Sequence, residues 1–586
     1  MLARRLHTPL AVATLAALLA SCSDPSEPVT PPHLEFSEPE LDLGTASEGQ
    51  IDIRNTGGLA AGPVEFVVSA VRDAAGAAVP DWQLSTEPSE LPMLGAGEAR
   101  TLGISLSFSG SLVPGEYDAA ITARSGSANS AQTAVRFLVP SDYATGATRI
   151  RILSTQTEAR TGDVVAFPVE VRDANGSLLQ GVPVSWSVDP ANAGYLGASG
   201  QFVAYDPGIV ELIASFGSVS DTLRLEVNDR SVGGSFSVVG RAELPDRYTS
   251  DLWLHGTVAY TGTWGSRPFG ASFNRGNTLN VWDISDPASA QKVFSLEIDA
   301  RTVNDVKIRA DGTLAIITHE RSSDGLNGIT ILDLANPLAP TVVTRLTSEM
   351  EHGVHNVWIE GHYAYVAVGG VGSGLRIVDI SRPSAAHVVA GYWAGSSSLH
   401  DVYVRDGLAF LAHWNAGLVI LDVGNGIVGG TPEAPIEVSR LADLGGETHN
   451  AWYWPEAGYV FVGEEDFVTP GVVHVVDVRN LRAPREVATY GVAGTDPPHN
   501  FWLDEATGTL YMAWFSNGIR ALDVTGDLLG ALDRQGREIV GLQYNGGTGS
   551  CNRPSGDTCT WAPQLHNGVL WVSDMNSGLI ALEPAR

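Results

Sequence analysis

Lysine is nearly missing from this chain: Lys292 and Lys307 are the two in 586 residues, against 66 Asp and Glu and a formal charge of −31. A surface this acidic repels phosphate backbones and anionic headgroups, which argues against nucleic acid as a partner. Cations and divalent metals are what such a field attracts, although solubility alone is a sufficient reason for it. Cysteine is equally scarce, at three, so neither a cysteine-held cluster nor a Cys-x-x-Cys-His haem site can be built. No segment beyond the first twenty residues has the length and apolarity to cross a bilayer, and long runs of helical periodicity are absent after the leader. There is no nucleophile elbow, phosphate-cradling loop or dinucleotide fingerprint. The run GGVGSG at Gly369–Gly374 lies between two strands with no helix behind it and reads as a turn.

What remains is a chain too long for one hydrophobic core, rich in Gly (65), Pro (32), Val, Thr and aromatic residues. That composition favours short strands and tight turns, hence an all-β protein.

At the N-terminus, Arg4 and Arg5 precede an apolar run from Leu10 to Leu19 and then Leu19-Ala20-Ser21-Cys22. A basic start, a short apolar stretch and small residues before the cut describe an export signal. Leu-Ala-Ser-Cys resembles the lipobox of bacterial lipoproteins. The resemblance implies a signal peptide over 1–22, a lipidated Cys22, a tether over 23–33 and an extracytoplasmic protein anchored to the membrane by lipid. Ser23 in place of Asp favours outer-membrane sorting by analogy with enteric bacteria. The alternative is an ordinary signal peptide with a chance cysteine. The remaining cysteines, Cys551 and Cys559, sit in the loop GTGSCNRPSGDTC, where an oxidising compartment favours a loop-closing disulfide. A two-thiolate metal site is the other reading.

Residues 34–140 alternate apolar and polar positions with turn residues every ten or so, the pattern of a β-sandwich. A second such block covers 146–229, and its VVAFPVEVRDANGSLLQGVPVSWSV resembles the bacterial immunoglobulin-like repeats of surface proteins. Asp173 and Asn175 could be metal ligands, but an Asn175-Gly176 turn fits the pattern better. Both blocks read as spacers.

From 233 to 586 the chain repeats. LNVWD (Asp283), ITILD (Asp333), LRIVD (Asp379), LVILD (Asp422), VHVVD (Asp477), IRALD (Asp523) and LIALE (Glu583) recur 43 to 60 residues apart. The pattern resembles the LVIVD repeat family, which implies a β-propeller, here of seven blades with four strands each. The last repeat stops after its third strand, and Phe236–Arg241 resembles the missing fourth. Pairing of that early segment with the C-terminal repeat would close the ring and hide an edge. The acidic residue ending each third strand is expected to accept N–H groups of the following turn.

A second landmark opens the repeats: His355-Asn356, His400-Asp401, His449-Asn450 and His499-Asn500, with Asn304-Asp305, Ser250-Asp251 and Thr560-Trp561 in the equivalent places. Inner strands surround a propeller's axis, so the four histidines should converge on one rim. The ends of the second strands should share that mouth, bringing His319, His413 and Glu464, with Glu320, Glu465 and Asp466 in adjoining loops. Imidazole and carboxylate suit a divalent transition metal; no cofactor is otherwise indicated. Histidines at blade starts can equally lock one blade to the next by bonding to backbone carbonyls, as the repeated His of WD-repeat propellers does. The aromatics three residues on read as packing between blades. Two functions therefore stay open: a cell-envelope lipoprotein offering its propeller as a binding platform for an envelope protein, glycan or small molecule, or a metal-dependent hydrolytic or redox enzyme. Catalysis is the less favoured of the two, because a motif repeated blade by blade is more often architectural.

Overall fold

A computed structural model describes residues 30–585 apart from 81, 92, 109–113, 127–130, 140–146, 180–181, 183, 198–199, 267–274, 371–373, 396–397, 443, 469–470, 495, 546–550 and 552–556. Cys22 and the lipobox lie outside the described residues, as does most of the tether. The protein is all-β, and no described helix is long and apolar enough to cross a membrane. Two compact units divide the chain.

The first unit holds two antiparallel-rich sheets, one of four strands and one of six. Their strands are covered on one side only, and the sequence shows it. In Ala131–Val139 residues 131, 133, 135, 137 and 139 are buried, while the residues between them reach solvent. Trp82 of the smaller sheet meets Phe137 of the larger one at 4.7 Å between ring centroids, and Tyr117 stacks on Phe137 at 5.3 Å. Within this unit Asp173 Oδ1 accepts the N–H groups of Asn175 (2.9 Å) and Ser177 (2.8 Å). Gly176 has φ +82°, so the Asp-Ala-Asn-Gly run is a turn. Strands between Ala147 and Asn228 form three further small sheets.

The second unit contains the β-propeller. Six consecutive sheets begin with the strands Arg247–His255, Val306–Ile308, Val354–Glu360, Asp401–Arg405, Thr448–Trp454 and Phe501–Asp504, each adding three further strands outward. The fifth sheet gains a short parallel strand, Gly530–Ala531, at its outer edge. A seventh sheet runs Thr560–His566, Val569–Asp574, Gly578–Ala585 and then Ser235–Ala242, the earliest strand of the repeat region. Val238 lies opposite Leu582 in that antiparallel pairing, with a bulge between Val238 and Gly240.

These sheets are buried on both faces, and their sequences run continuously apolar as that requires. All five residues of Leu408–Ala412 and all five of Leu418–Asp422 are buried, whereas the outer strand Gln291–Glu297 is mostly exposed. Apolar clusters fill the gaps between neighbouring sheets, and the one built on Tyr248, Trp282, Trp571 and Leu579 joins the first sheet to the seventh. The inner strands touch one another in order, and the seventh touches the first.

The acidic landmarks are turn formers. Asp283, Asp333, Asp379, Asp477 and Asp523 each accept the N–H of the residue two positions on, at 2.6–3.0 Å. Asp422 collects five, from Gly424, Gly426, Val428, Gly429 and Gly430, which hold its carboxyl far below the usual range despite its burial.

Because Leu582 is fully buried in the sheet that joins the two ends of the repeat region, Leu582→Ala should cost about 2–5 kcal/mol. The fall would be read from the urea midpoint; an unchanged midpoint would mean that the closing pair contributes little.

Candidate functional site

At one mouth of the propeller the four sequence-predicted histidines come together. His355 and His400 rings lie 4.2 Å apart, His400 and His449 4.3 Å, and His449 and His499 4.2 Å. The series continues through Trp561, 4.3 Å from His499, to Trp264, 5.2 Å from Trp561, and Trp264 stands 6.1 Å from His355. Four imidazoles and two indoles thus form a closed circuit. Trp561 occupies the place of a histidine: it stands at the register irregularity between Thr560 and Ala562, as His355 does between Val354 and Asn356 and His449 between Thr448 and Asn450. Beside the ring opens a cavity of about 310 Å³ whose walls include Trp264, Trp561, Phe515 and Phe467 with the carboxyl groups of Glu465 and Asp496.

Two of the histidines lock sheets together. His400 Nδ1 donates to the carbonyl of His449 (3.0 Å), and His499 Nδ1 to the carbonyl of Trp561 (2.6 Å). The other two turn to carboxylates. His355 Nδ1 bonds Glu320 Oε1 at 2.7 Å, while His449 Nε2 lies 3.6 Å from Glu465 Oε2 and its buried Nδ1 has no hydrogen-bond partner. Electrostatics follow this split. Burial holds His400 and His449 well below the usual imidazole range, with repulsion from neighbouring histidines adding to it, and brings His499 to about 4. Burial also opposes charge on His355, but Glu320 outweighs it and its pKa rises. Glu465, buried among the rings, is pushed up to about 8.

One layer deeper the channel is lined by the residues that follow the histidine positions. Asp401 belongs here rather than on the rim, together with Asp251, Asn356, Asn450 and Asn500. Asp305 Oδ2 accepts the N–H of Val357, and Asn356 Oδ1 that of Val402 at 3.3 Å, so each side chain ties its sheet to the next. Lys307 enters this layer and bonds Asp251 (3.2 Å) and Asp305. Its ammonium sits 5.1 Å from the Trp253 ring centroid. Burial favours the protonated carboxyl at all three aspartates. Lys307 overcomes it at Asp251, which is lowered, whereas Asp305 is raised and Asp401 reaches about 7. The space left on the axis is about 50 Å³, room for a water or two. Below it Trp253, Trp358, Tyr403, Trp452 and Trp502 form a second closed circuit with centroid separations of 4.5–6.1 Å. The aromatics expected to pack between blades therefore also seal the channel.

Three expected rim residues lie elsewhere. His319 is buried within the second sheet among Arg345, Asp324 and Asp299, and burial lowers it to about 4. His413 Nε2 accepts the N–H of Ala394 (3.4 Å) at the flank of the third sheet, and burial brings it too to about 4. Glu464 faces His474 at 3.5 Å and accepts the N–H of Val472. Alternation along a strand sends successive side chains to opposite faces. At the end of these second strands that alternation points the side chain into the gap between sheets, not across the mouth. His474 itself was not anticipated. It lies 3.5 Å from Glu464 and 3.4 Å from Glu486, which together outweigh its burial and raise it to about 9. His566 is half-buried and donates to the carbonyl of Gly256 at 2.7 Å. Cys551 and Cys559 are joined as a disulfide, which removes the two-thiolate metal reading.

A family model described as the LVIVD repeat matches residues 353–392 and 396–440. Similar solved structures include the β-propeller domain of Myceliophteria thermophila Cps50 (Swd1), at 10% identity and TM-score 0.41, covering 58% of this chain and 98% of that one. Another is the WD40 β-propeller domain of Doa1, at 10% identity and TM-score 0.42, covering 59% and 96%. No curated protein matches the sequence. The chain is all-β and contains a β-propeller, within which residues 353–392 and 396–440 match the LVIVD repeat.

Lys307→Met should lower stability by about 3–5 kcal/mol, since it strands the buried Asp251 charge. Adding Asp251→Asn should restore most of the loss in a denaturation experiment. His474 offers a pH test. Its folded pKa is raised from 6.5 to about 9, so its contribution is complete below about pH 6.5 and disappears as pH rises through about 9. His474→Gln should therefore destabilise by about 2–3 kcal/mol near pH 6 and by much less near pH 10. Equal losses at both values would refute the pairing.

Proposed function

We propose that this protein is a binding platform: a seven-bladed propeller that engages its partner at the histidine mouth, carried on immunoglobulin-like spacers and exported as a lipid-anchored envelope protein. The observation that carries the reading is the aromatic cavity beside the ring. Phe467 is 53% exposed and Val468 94%, so apolar surface is left in solvent next to a walled pocket, the combination that marks recognition sites. The inter-sheet locks made by His400, His499, Asn356 and Asp305 supply a rigid frame, which lowers the entropy lost on binding. Seven blades fit the seven sheets whose inner strands touch in a closed order. The anchor rests on Leu-Ala-Ser-Cys22, and export is in keeping with the Cys551–Cys559 disulfide.

A second reading is favoured by one feature of the same mouth. His400, His449 and Glu465 bring nitrogen and oxygen donors together beside the cavity, the kind of donor set a metal-dependent hydrolytic or redox enzyme uses.

The platform reading is tested by capture of envelope fractions on the immobilised full chain, beside Phe467→Ala and Trp264→Ala variants of unchanged thermal stability. Components retained by the parent and released by both variants are expected. Retention that is indifferent to both substitutions would refute binding at this mouth.

A further inference from the structure

We propose that His400, His449 and Glu465 hold one divalent transition-metal ion, with an open coordination position facing the aromatic cavity. The inference shares with the platform reading only the premise that this mouth is the working face; it requires no particular partner.

The geometry has three independent parts. First, one donor atom from each of the three residues lies within 4.8 Å of the other two. Metal–ligand bonds of about 2.0–2.2 Å place tetrahedral donors roughly 3.3–3.5 Å apart, and His449 Nε2 to Glu465 Oε2 is already 3.6 Å. Small side-chain rotations of His400 would complete the set. Second, His400 is oriented as a ligand. Its Nδ1 donates to the carbonyl of His449, which fixes the neutral tautomer that leaves a lone pair on Nε2. Outer bonds of this kind, from the far ring nitrogen to a backbone carbonyl, accompany metal-bound imidazoles. Third, His449 is 1% exposed, yet its Nδ1 has no hydrogen-bond partner. A buried polar atom left unpaired costs about 1–3 kcal/mol, while the other ring nitrogen, Nε2, is the one that faces the Glu465 carboxylate.

The donor set also discriminates among the mouth's residues. His499 spends its Nδ1 on Trp561 and His355 on Glu320, and neither belongs to the cluster of three. The repeated histidine motif is thus architectural in some blades and departs from that role where His449 meets Glu465. Two imidazoles and a carboxylate form a site of mixed nitrogen and oxygen character that suits zinc, cobalt, iron or manganese rather than calcium or magnesium. With three protein ligands one position stays open. Because Glu465 also lines the 310 Å³ cavity, a molecule bound there would reach that position with an oxygen or nitrogen donor of its own.

The test uses the full chain without a polyhistidine tag, dialysed against Zn²⁺ and, separately, Co²⁺. One equivalent of either ion per chain is expected, with Co²⁺ giving the visible spectrum of a four-coordinate site. Glu465→Gln and His449→Gln should weaken binding by more than the ~10- to 100-fold that loss of an outer-shell partner alone produces. His387→Ala, an exposed histidine on an outer strand, should leave binding unchanged. If a glutamine variant fails to fold, the parent's Co²⁺ spectrum and a Zn²⁺-dependent rise in melting temperature still decide the matter. Absence of bound ion, a six-coordinate Co²⁺ spectrum, or equal binding by Glu465→Gln and the parent would overturn the site. Those outcomes would leave the capture experiment on Phe467 and Trp264 untouched, so the two readings fail separately.

Discussion

Everything at the mouth depends on one strand pairing. Ser235–Ala242 adds itself to Gly578–Ala585, so the sheet that ends the chain is finished by the strand that begins the repeats. Without that strand the seventh sheet would keep an unpaired edge, and its N–H and C=O groups would have to find water or another chain. The pairing also fixes where the seventh inner strand lies, and so where Trp561 can meet His499. A local set of backbone hydrogen bonds at the rim of the molecule thereby determines a geometry at its axis.

The axis itself is a stack of three circuits with different chemistry. Imidazole and indole close the mouth, carboxylates and amides with one lysine form the middle, and aromatic rings seal the bottom. The middle layer holds several carboxyl groups, and Lys307 neutralises part of their charge. A buried ammonium between carboxylates is costly to create and costlier to break. It therefore favours a fixed arrangement of sheets more than it adds to net stability. The mouth differs from the layers below because its histidines divide their bonds between backbone carbonyls and carboxylates, leaving His449 incompletely paired. Departure from repeat symmetry is concentrated there.

Much of this was legible in the sequence. The acidic landmarks, the displaced first strand and the four histidines each occupy a repeat position, and repetition converts spacing directly into place. Lys307 could have been found the same way: aligned on Asn304-Asp305, it stands where five of the other six repeats carry Trp253, Trp358, Tyr403, Trp452 and Trp502, and it is one of two lysines. His319, His413 and Glu464 were misplaced because a repeat register gives the end of a strand but not the face on which a side chain emerges. His474 carried no signal, since its partners Glu464 and Glu486 belong to different strands of one sheet.

By itself the sequence determined the class of fold, the period of the repeat and which residue types reach the axis, because alternation and turn chemistry are properties of short segments. Only the tertiary structure decided which nitrogen of each imidazole is engaged, that Trp264 and Trp561 complete the ring, and that Glu465 rather than Glu464 turns toward His449. Those outcomes depend on strand twist, on the bulge before Ala562 and on burial between neighbouring sheets. None of these is encoded at the position it affects; each arises from residues tens or hundreds of places away that closure brings within a few ångströms.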